Sequence, residues 1–330
     1  MINRSWALAS CAFALLLFAG RAAAGPADAV AELLPADTEQ FLVLQVKPII
    51  ASPAYKKFAA EVVKKVLARE EVKEFVDKTG IDPLKDVERV VLATPPGFNP
   101  VKPEGMIVVC GSFDAKKLAV AGLGFVVKYK NNVAVVKDGP YLLLKITFGE
   151  GVKKQEWYAA AVDDKRLILS PKQEEVRAAL DRVADKKPPA IKDKATLKAL
   201  AAVDPAVALA GRFDRAQLRL LPGLDDPATA KLIDKVSYGT VEVRAGSDLK
   251  ATLDLVMSDA AAARAMKPTA FQVAEQVKTL TGVLTLADAR CKPLADAART
   301  LQVTTKGRSV LIHGRVPPEA LDALAKMAGK

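Results

Sequence analysis

Three stretches of the chain leave an apolar run in the same way: Gly, a polar residue, an apolar residue, Asp or Pro, three further residues and Leu. They are Gly111-Ser112-Phe113-Asp114-Ala115-Lys116-Lys117-Leu118, Gly211-Arg212-Phe213-Asp214-Arg215-Ala216-Gln217-Leu218 and Gly314-Arg315-Val316-Pro317-Pro318-Glu319-Ala320-Leu321. Each reads as the end of a strand, a turn and the capped first turn of a helix. The glycines are expected at positive φ, where a side chain is strained. A recurring strand-to-helix corner predicts an α+β protein with antiparallel sheets, helices packed on one face, and two degenerate copies of a similar unit. The corners define architecture and carry no reaction.

The N-terminus carries an address. Arg4 precedes an uncharged apolar run from Trp6 to Gly20, and Ala22-Ala23-Ala24 places small residues before Gly25. This is the pattern of a secretory signal peptide cleaved after Ala24. At 15 residues the run is shorter than the roughly 20 that a spanning helix needs. Leu8-Ala9-Ser10-Cys11 has the residue types of a lipoprotein box but precedes most of the apolar run, so lipid attachment at Cys11 is the lesser alternative. The expected organisation is a leader over 1–24, a first α+β domain over 25–188 and a second over 189–330, with Asp185-Lys186-Lys187-Pro188-Pro189 as the linker. An exported chain in the periplasm or outside the cell is expected, with no transmembrane segment in the mature form.

An exporting compartment permits a disulfide between Cys110 and Cys291, and two buried free thiols are the alternative. Formal net charge is +11, or +9 once Arg4 and Arg21 are removed with the leader. The excess is spread along the chain in lysine pairs that mostly lie near acids, such as Lys56-Lys57, Lys64-Lys65, Lys116-Lys117 and Lys153-Lys154. Such pairs are normally the solvated faces of helices. They permit attraction to an anionic polymer or membrane surface without forming a nucleic-acid stripe.

Hairpins are predicted around Lys137-Asp138-Gly139-Pro140, Asp163-Asp164 and Ala245-Gly246-Ser247. Leu249, Ala251, Leu253, Leu255 and Met257 alternate with polar residues, as in a strand with one buried side. One helix is predicted from Ser52-Pro53 to Lys78, closed by Gly80. Another, capped by Asp259, is expected to break near Pro268 before a second carrying Phe271, Val273, Val277, Leu280 and Leu284.

Leu34-Pro35-Ala36-Asp37-Thr38, Gly80-Ile81-Asp82-Pro83-Leu84-Lys85-Asp86-Val87 and the segment from Val303 to Leu324 together resemble a family of exported bacterial proteins of unknown function. The resemblance spans most of the mature length. It implies the same fold and address, and it transfers no active site.

The chemistry-bearing residues are few. His313, the single histidine, lies in a predicted strand with no orienting partner beside it, so a structural role is favoured over a ligand or general base. Cys110 and His313 both precede corners, but no nucleophile signature accompanies the cysteine. Ser112 fits a helix entry better than a nucleophile elbow. Asp163-Asp164 and Asp225-Asp226 lie at turns, where Asp satisfies backbone donors. Gly122-Leu123-Gly124 lacks the third glycine of a phosphate-binding loop. Thr94-Pro95-Pro96-Gly97-Phe98-Asn99-Pro100-Val101-Lys102-Pro103 is a stiff connection or a recognition loop with Phe98 at its middle. No catalytic, cofactor-binding or metal-ligating residue is assigned and no cofactor is expected. The expected function is an exported, non-catalytic binding or structural protein of the cell envelope. The alternatives are an envelope hydrolase using carboxylates not paired in the sequence, and a protein that binds polyanions or lipid surfaces.

Overall fold

Val90-Val91-Leu92-Ala93 and Met106-Ile107-Val108-Val109-Cys110 are unbroken apolar runs, and such runs form strands covered on both faces. The computed structural model describes residues 28–97, 104–149, 154–219 and 227–322. The chain divides into two units, Met1–Ile50 with Glu61–Val203, and Ala51–Ala60 with Asp204–Lys330. The fold is α+β with antiparallel strands.

The strands of the first unit are β1 (Gln40–Gln45), β2 (Val87–Thr94), β3 (Met106–Gly111), β4 (Val133–Asp138), β5 (Tyr141–Phe148), β6 (Gln155–Asp163) and β7 (Arg166–Ser170), in the order β1-β2-β3-β7-β6-β5-β4. The helices along this part of the chain are α1 (Asp28–Ala31), α2 (Val46–Ala51), α3 (Ala60–Leu67), α4 (Glu70–Thr79), α5 (Pro83–Asp86), α6 (Ala115–Lys128), α7 (Gln173–Ala184) and α8 (Lys194–Ala201). Val43, Val91, Val108 and Ile168 face one apolar layer with Leu33, Leu34, Val176 and Leu200. Their neighbours Leu44, Val90, Ile107 and Leu169 face a second layer with Ile81, Phe75 and Leu118. The expectation of helices on one face is therefore corrected for this unit, whose sheet is covered on both sides because the runs 90–93 of β2 and 106–110 of β3 are apolar on both faces.

The second unit has β8 (Leu209–Phe213), β9 (Val236–Ala245), β10 (Leu249–Met257), β11 (Gln302–Lys306) and β12 (Ser309–Val316) in the order β11-β12-β10-β9-β8. Its longer helices are α9 (Pro227–Ile233), α10 (Ala260–Ala287) and α11 (Lys292–Arg299). One core, built from Leu255, Met257, Val310, Ile312, Ala263 and Met266, fills the α10 side of this sheet. The predicted inward set of β10 is found in part: Leu253, Leu255 and Met257 pack into this core, whereas Ala251 is exposed and Val256, of the opposite parity, is buried.

The hairpins form where predicted, with Gly139 at φ +60° between paired Asp138 and Tyr141. Asp114 and Asp214 accept from the backbone N–H of Lys117 and Ala216, so the helix entries at two corners are capped by the expected residues. The expected positive φ is not found: Gly111, Gly211 and Gly314 all lie within strands, and none is among the positive-φ glycines. At Gly111 the constraint is close approach instead. A Cβ there would sit 1.9 Å from the carbonyl oxygen of Asp86 and 2.8 Å from Val87 Cα.

Two helix expectations are also corrected. The run from Ser52 to Lys78 is not one helix: a π-helical turn, Tyr55–Ala59, precedes α3, and the chain leaves helical geometry before α4 starts after Arg69. Gly80 closes α4 in the left-handed region, as expected. Helix α10 passes through Pro268 without ending. Ala262, Ala263, Met266, Ala270 and Ala274 are buried on both sides of the proline, and that packing offsets the backbone hydrogen bond it removes. The segment from Asp185 to Pro189 closes α7, with Lys186 at φ +53° and the Lys187 N–H donating to Arg182 O.

Gly111→Ala is expected to lower unfolding stability by about 2 kcal/mol or more, because strands β2 and β3 must shift to admit the methyl group. Gly124→Ala, in α6 with nothing within 4 Å of the added carbon, is expected to raise it by up to about 1 kcal/mol through helix propensity. Urea unfolding of the two variants checks both signs.

Candidate functional site

His313 is in β12 and its Nδ1 lies 3.1 Å from Thr252 Oγ1 on the paired strand β10. Nearby Asp254 accepts from Ser309 Oγ, and burial pushes its carboxyl pKa up. Cys110 and Cys291 are both buried and free, so the disulfide is not formed. Burial pushes the Cys110 thiol up to about 11, which suppresses the thiolate that nucleophilic chemistry needs. Ser112 is exposed, and its N–H donates to Asp86 O. Gly122, Leu123 and Gly124 lie inside α6, where no phosphate loop can form. Asp225-Asp226, residues 98–103 of the Pro-rich loop and the leader lie outside the described residues. Among the described residues no group of three or more His, Cys, Asp and Glu side chains is placed to hold a metal ion.

Half-buried arginines fix the N-terminal segment. Arg166 donates to Asp163, Glu32 and the Ala29 carbonyl. Arg182 donates to the carbonyls of Glu32, Leu33 and Leu34. These bonds satisfy the last carbonyls of a short helical turn and seat Leu33 and Leu34 in the core. Leu34-Pro35-Ala36-Asp37-Thr38 is thus a plug and a turn. Gly80-Ile81-Asp82-Pro83 is likewise cap chemistry: Asp82 accepts from the Leu84 N–H, and Asp86 accepts from that of Asp82.

The unusual surface is on α6. Its sequence, Ala-Lys-Lys-Leu-Ala-Val-Ala-Gly-Leu-Gly-Phe-Val-Val-Lys, is apolar on more than one face and contains no acid. The inner side buries Ala121 and packs Leu118 into the second core layer. The outer side presents Val120 at 71%, Leu123 at 59% and Val127 at 80% exposure. Lys116, Val120, Leu123 and Val127 follow at i, i+4, i+7 and i+11, so one stripe runs along the solvent face. Lys116 and Lys117 stand at its start and Lys128 and Lys130 at its end. Exposed Leu142 and Val135, on β5 and β4, add apolar surface in the same unit.

Glu74 fastens this helix. Its carboxylate accepts from Lys128 Nζ at 2.5 Å and Tyr129 OH at 2.9 Å, and pairs with Lys78 Nζ at 2.7 Å. Phe75 stacks on Phe125 with ring centroids 5.9 Å apart, and Phe125 on Tyr129 at 6.2 Å. Helix α6 is therefore clamped to α4 by its last turn. The bonds from Lys128 and Lys78 hold the Glu74 carboxyl down to about 2.

Sequence reasoning misses this stripe, because Gly122-Leu123-Gly124 draws attention only as a phosphate loop. The available signal is an acid-free helix, apolar on two faces and bracketed by lysines.

No protein-family model matches the chain, and no curated protein matches it. Two solved structures are similar in fold, crystal forms I and III of TP0453. Each is 11% identical and covers 93% of this chain, with 98% and 100% of their own chains covered and TM-scores of 0.48 and 0.49. Among the described residues no helix is long and apolar enough to cross a membrane.

Because Glu74 has a lowered pKa in the folded protein, its contribution to stability is complete above its ordinary value of 4.5 and is lost as pH falls through about 2. Glu74→Gln is expected to lower the melting temperature at pH 7. The gap to the parent protein should close between these two pH values, which paired melting curves across pH measure.

Proposed function

We propose that this is an exported, non-catalytic protein of the cell envelope that binds an anionic lipid surface through α6. The observation that carries the proposal is the exposed stripe of Val120, Leu123 and Val127 with lysines at both ends and no acid in the helix. An amphipathic segment of this kind lies in the plane of a membrane interface, its apolar side chains among the acyl chains and its lysines at the headgroups. Roughly 1–2 kcal/mol per apolar side chain removed from water and about 1 kcal/mol per lysine at an anionic surface give reversible, peripheral attachment. Lys128 also holds Glu74, so the clamp presents the stripe on a fixed helix.

The exported location rests on the leader pattern before Gly25, cleaved after Ala24. Degenerate duplication is part of the same proposal, and it is supported by the wiring of the two units. In each, the first two strands are joined through helices, the third pairs with the second, and a helical excursion follows. A meander then brings the last strand back beside the third: β7 beside β3 in one unit, β12 beside β10 in the other. The glycine corners follow the third strand of one unit and the first and last strands of the other, so they do not mark equivalent positions.

Flotation with vesicles is the test. The protein is expected to float with vesicles containing anionic lipid and less with purely zwitterionic ones, and binding should weaken as salt rises. Leu123→Asp with Val127→Asp should reduce binding about tenfold or more while leaving the circular dichroism spectrum unchanged. Equal flotation of parent and variant would refute the role of α6.

A further inference from the structure

A second exposed apolar surface, on α10, differs from that of α6 in charge. Ala263, Met266, Ala270, Val273, Val277, Leu280 and Leu284 follow one another at alternating spacings of three and four residues, the repeat of a coiled-coil seam. Over the first half of the helix this stripe is buried: Ala263, Met266 and Ala270 pack into the core of the second unit. Over the second half the same stripe lies in solvent, with Leu280 at 61% exposure and Val277 and Leu284 also exposed. Val283 and Leu286 widen it.

We infer that this half of α10 is an interface with a second copy of the chain. Charge selects that occupant. The chain carries a formal +11, so two copies repel unless they meet over neutral surface. From Ala270 to Ala287 the helix has two charged side chains, Glu275 and Lys278, and they pair with each other at 2.8 Å. Gln276, Thr281 and Val283 flank the seam, so identical helices meet there without facing like charges.

The threonine hydroxyls of this surface are already satisfied. Thr279, Thr281 and Thr285 donate their hydroxyls to carbonyls one turn back in the same helix, those of Glu275, Val277 and Thr281. They bring no unmet donor into a dry contact. Val277 and Leu280, at successive seam positions, form one pair of the β-branched and Leu combination that favours two-stranded pairing, whereas Val273 and Leu284 stand in the opposite order. A two-fold axis lets each stripe serve as the other's partner, which closes the assembly as a dimer.

Sedimentation velocity of the purified protein over a concentration series from about 1 to 100 μM, the range of weak protein association, reads this directly. The mass is expected to rise toward a dimer. Leu280→Glu with Leu284→Glu sets like charges face to face and should raise the dissociation constant at least about tenfold. Both side chains are exposed, so the fold should survive, as circular dichroism will show. Leu280→Cys should give a disulfide-linked dimer on mild oxidation. Leu123→Asp, on α6, should leave association unchanged, which keeps this test separate from that of lipid binding. A concentration-independent monomer mass would overturn the inference, as would association of the double Glu variant equal to that of the parent. Loss of association in Leu123→Asp, or a parent that stays monomeric while the double Glu variant loses only vesicle binding, would overturn it too.

Discussion

A helix lying on a sheet can give that sheet one face. The sheets of this protein take what they need from α6 and α10: Ala121 and Leu118 from the first, Ala263, Met266 and Ala270 from the second. Neither helix stops being apolar there. Surface that a packed scaffold leaves uncovered at this density is unusual on a protein that works alone, and it normally marks a contact with something else. The functional reading follows from that imbalance between apolar faces offered and apolar faces used.

Charge then separates the two surfaces. On α6 the apolar stripe is bracketed by Lys116, Lys117, Lys128 and Lys130, and the helix has no acid of its own. On α10 the exposed half is neutral and its one ion pair is internal. Hydrophobic burial supplies attraction in both places and does not discriminate between partners. The lysines do, favouring an anionic surface for one helix and leaving the other free to meet its own image. Several ionisable groups elsewhere are occupied by the fold: Arg166 and Arg182 hold the N-terminal plug, Asp82 and Asp114 cap helices, and Cys110 is buried with a raised pKa.

Much of the architecture was legible because it rests on local chemistry. Gly139-Pro140 sets a two-residue hairpin, Asp114 and Asp214 cap helices, and Gly80 ends α4. What failed depended on partners distant in sequence. Gly111 is constrained by the approach of Asp86, not by its own φ. Pro268 is tolerated because the alanines around it are buried. The first sheet is covered on both sides, which the apolar runs in β2 and β3 signalled and which a one-sided reading overlooked. Leu123 is the instructive case at the candidate site. Its glycine neighbours drew attention to a phosphate motif, whereas the informative features were the lysines beyond them and the absence of acid between.

The α6 account is tested most directly by placing a reporter in the stripe. With Leu123→Trp, indole fluorescence above the Trp157 background should shift to the blue on addition of anionic vesicles and be quenched by lipids brominated on their acyl chains. Emission from the introduced indole that stays that of a water-exposed ring, unquenched at saturating anionic lipid, would contradict the assignment of α6 as the membrane-facing helix.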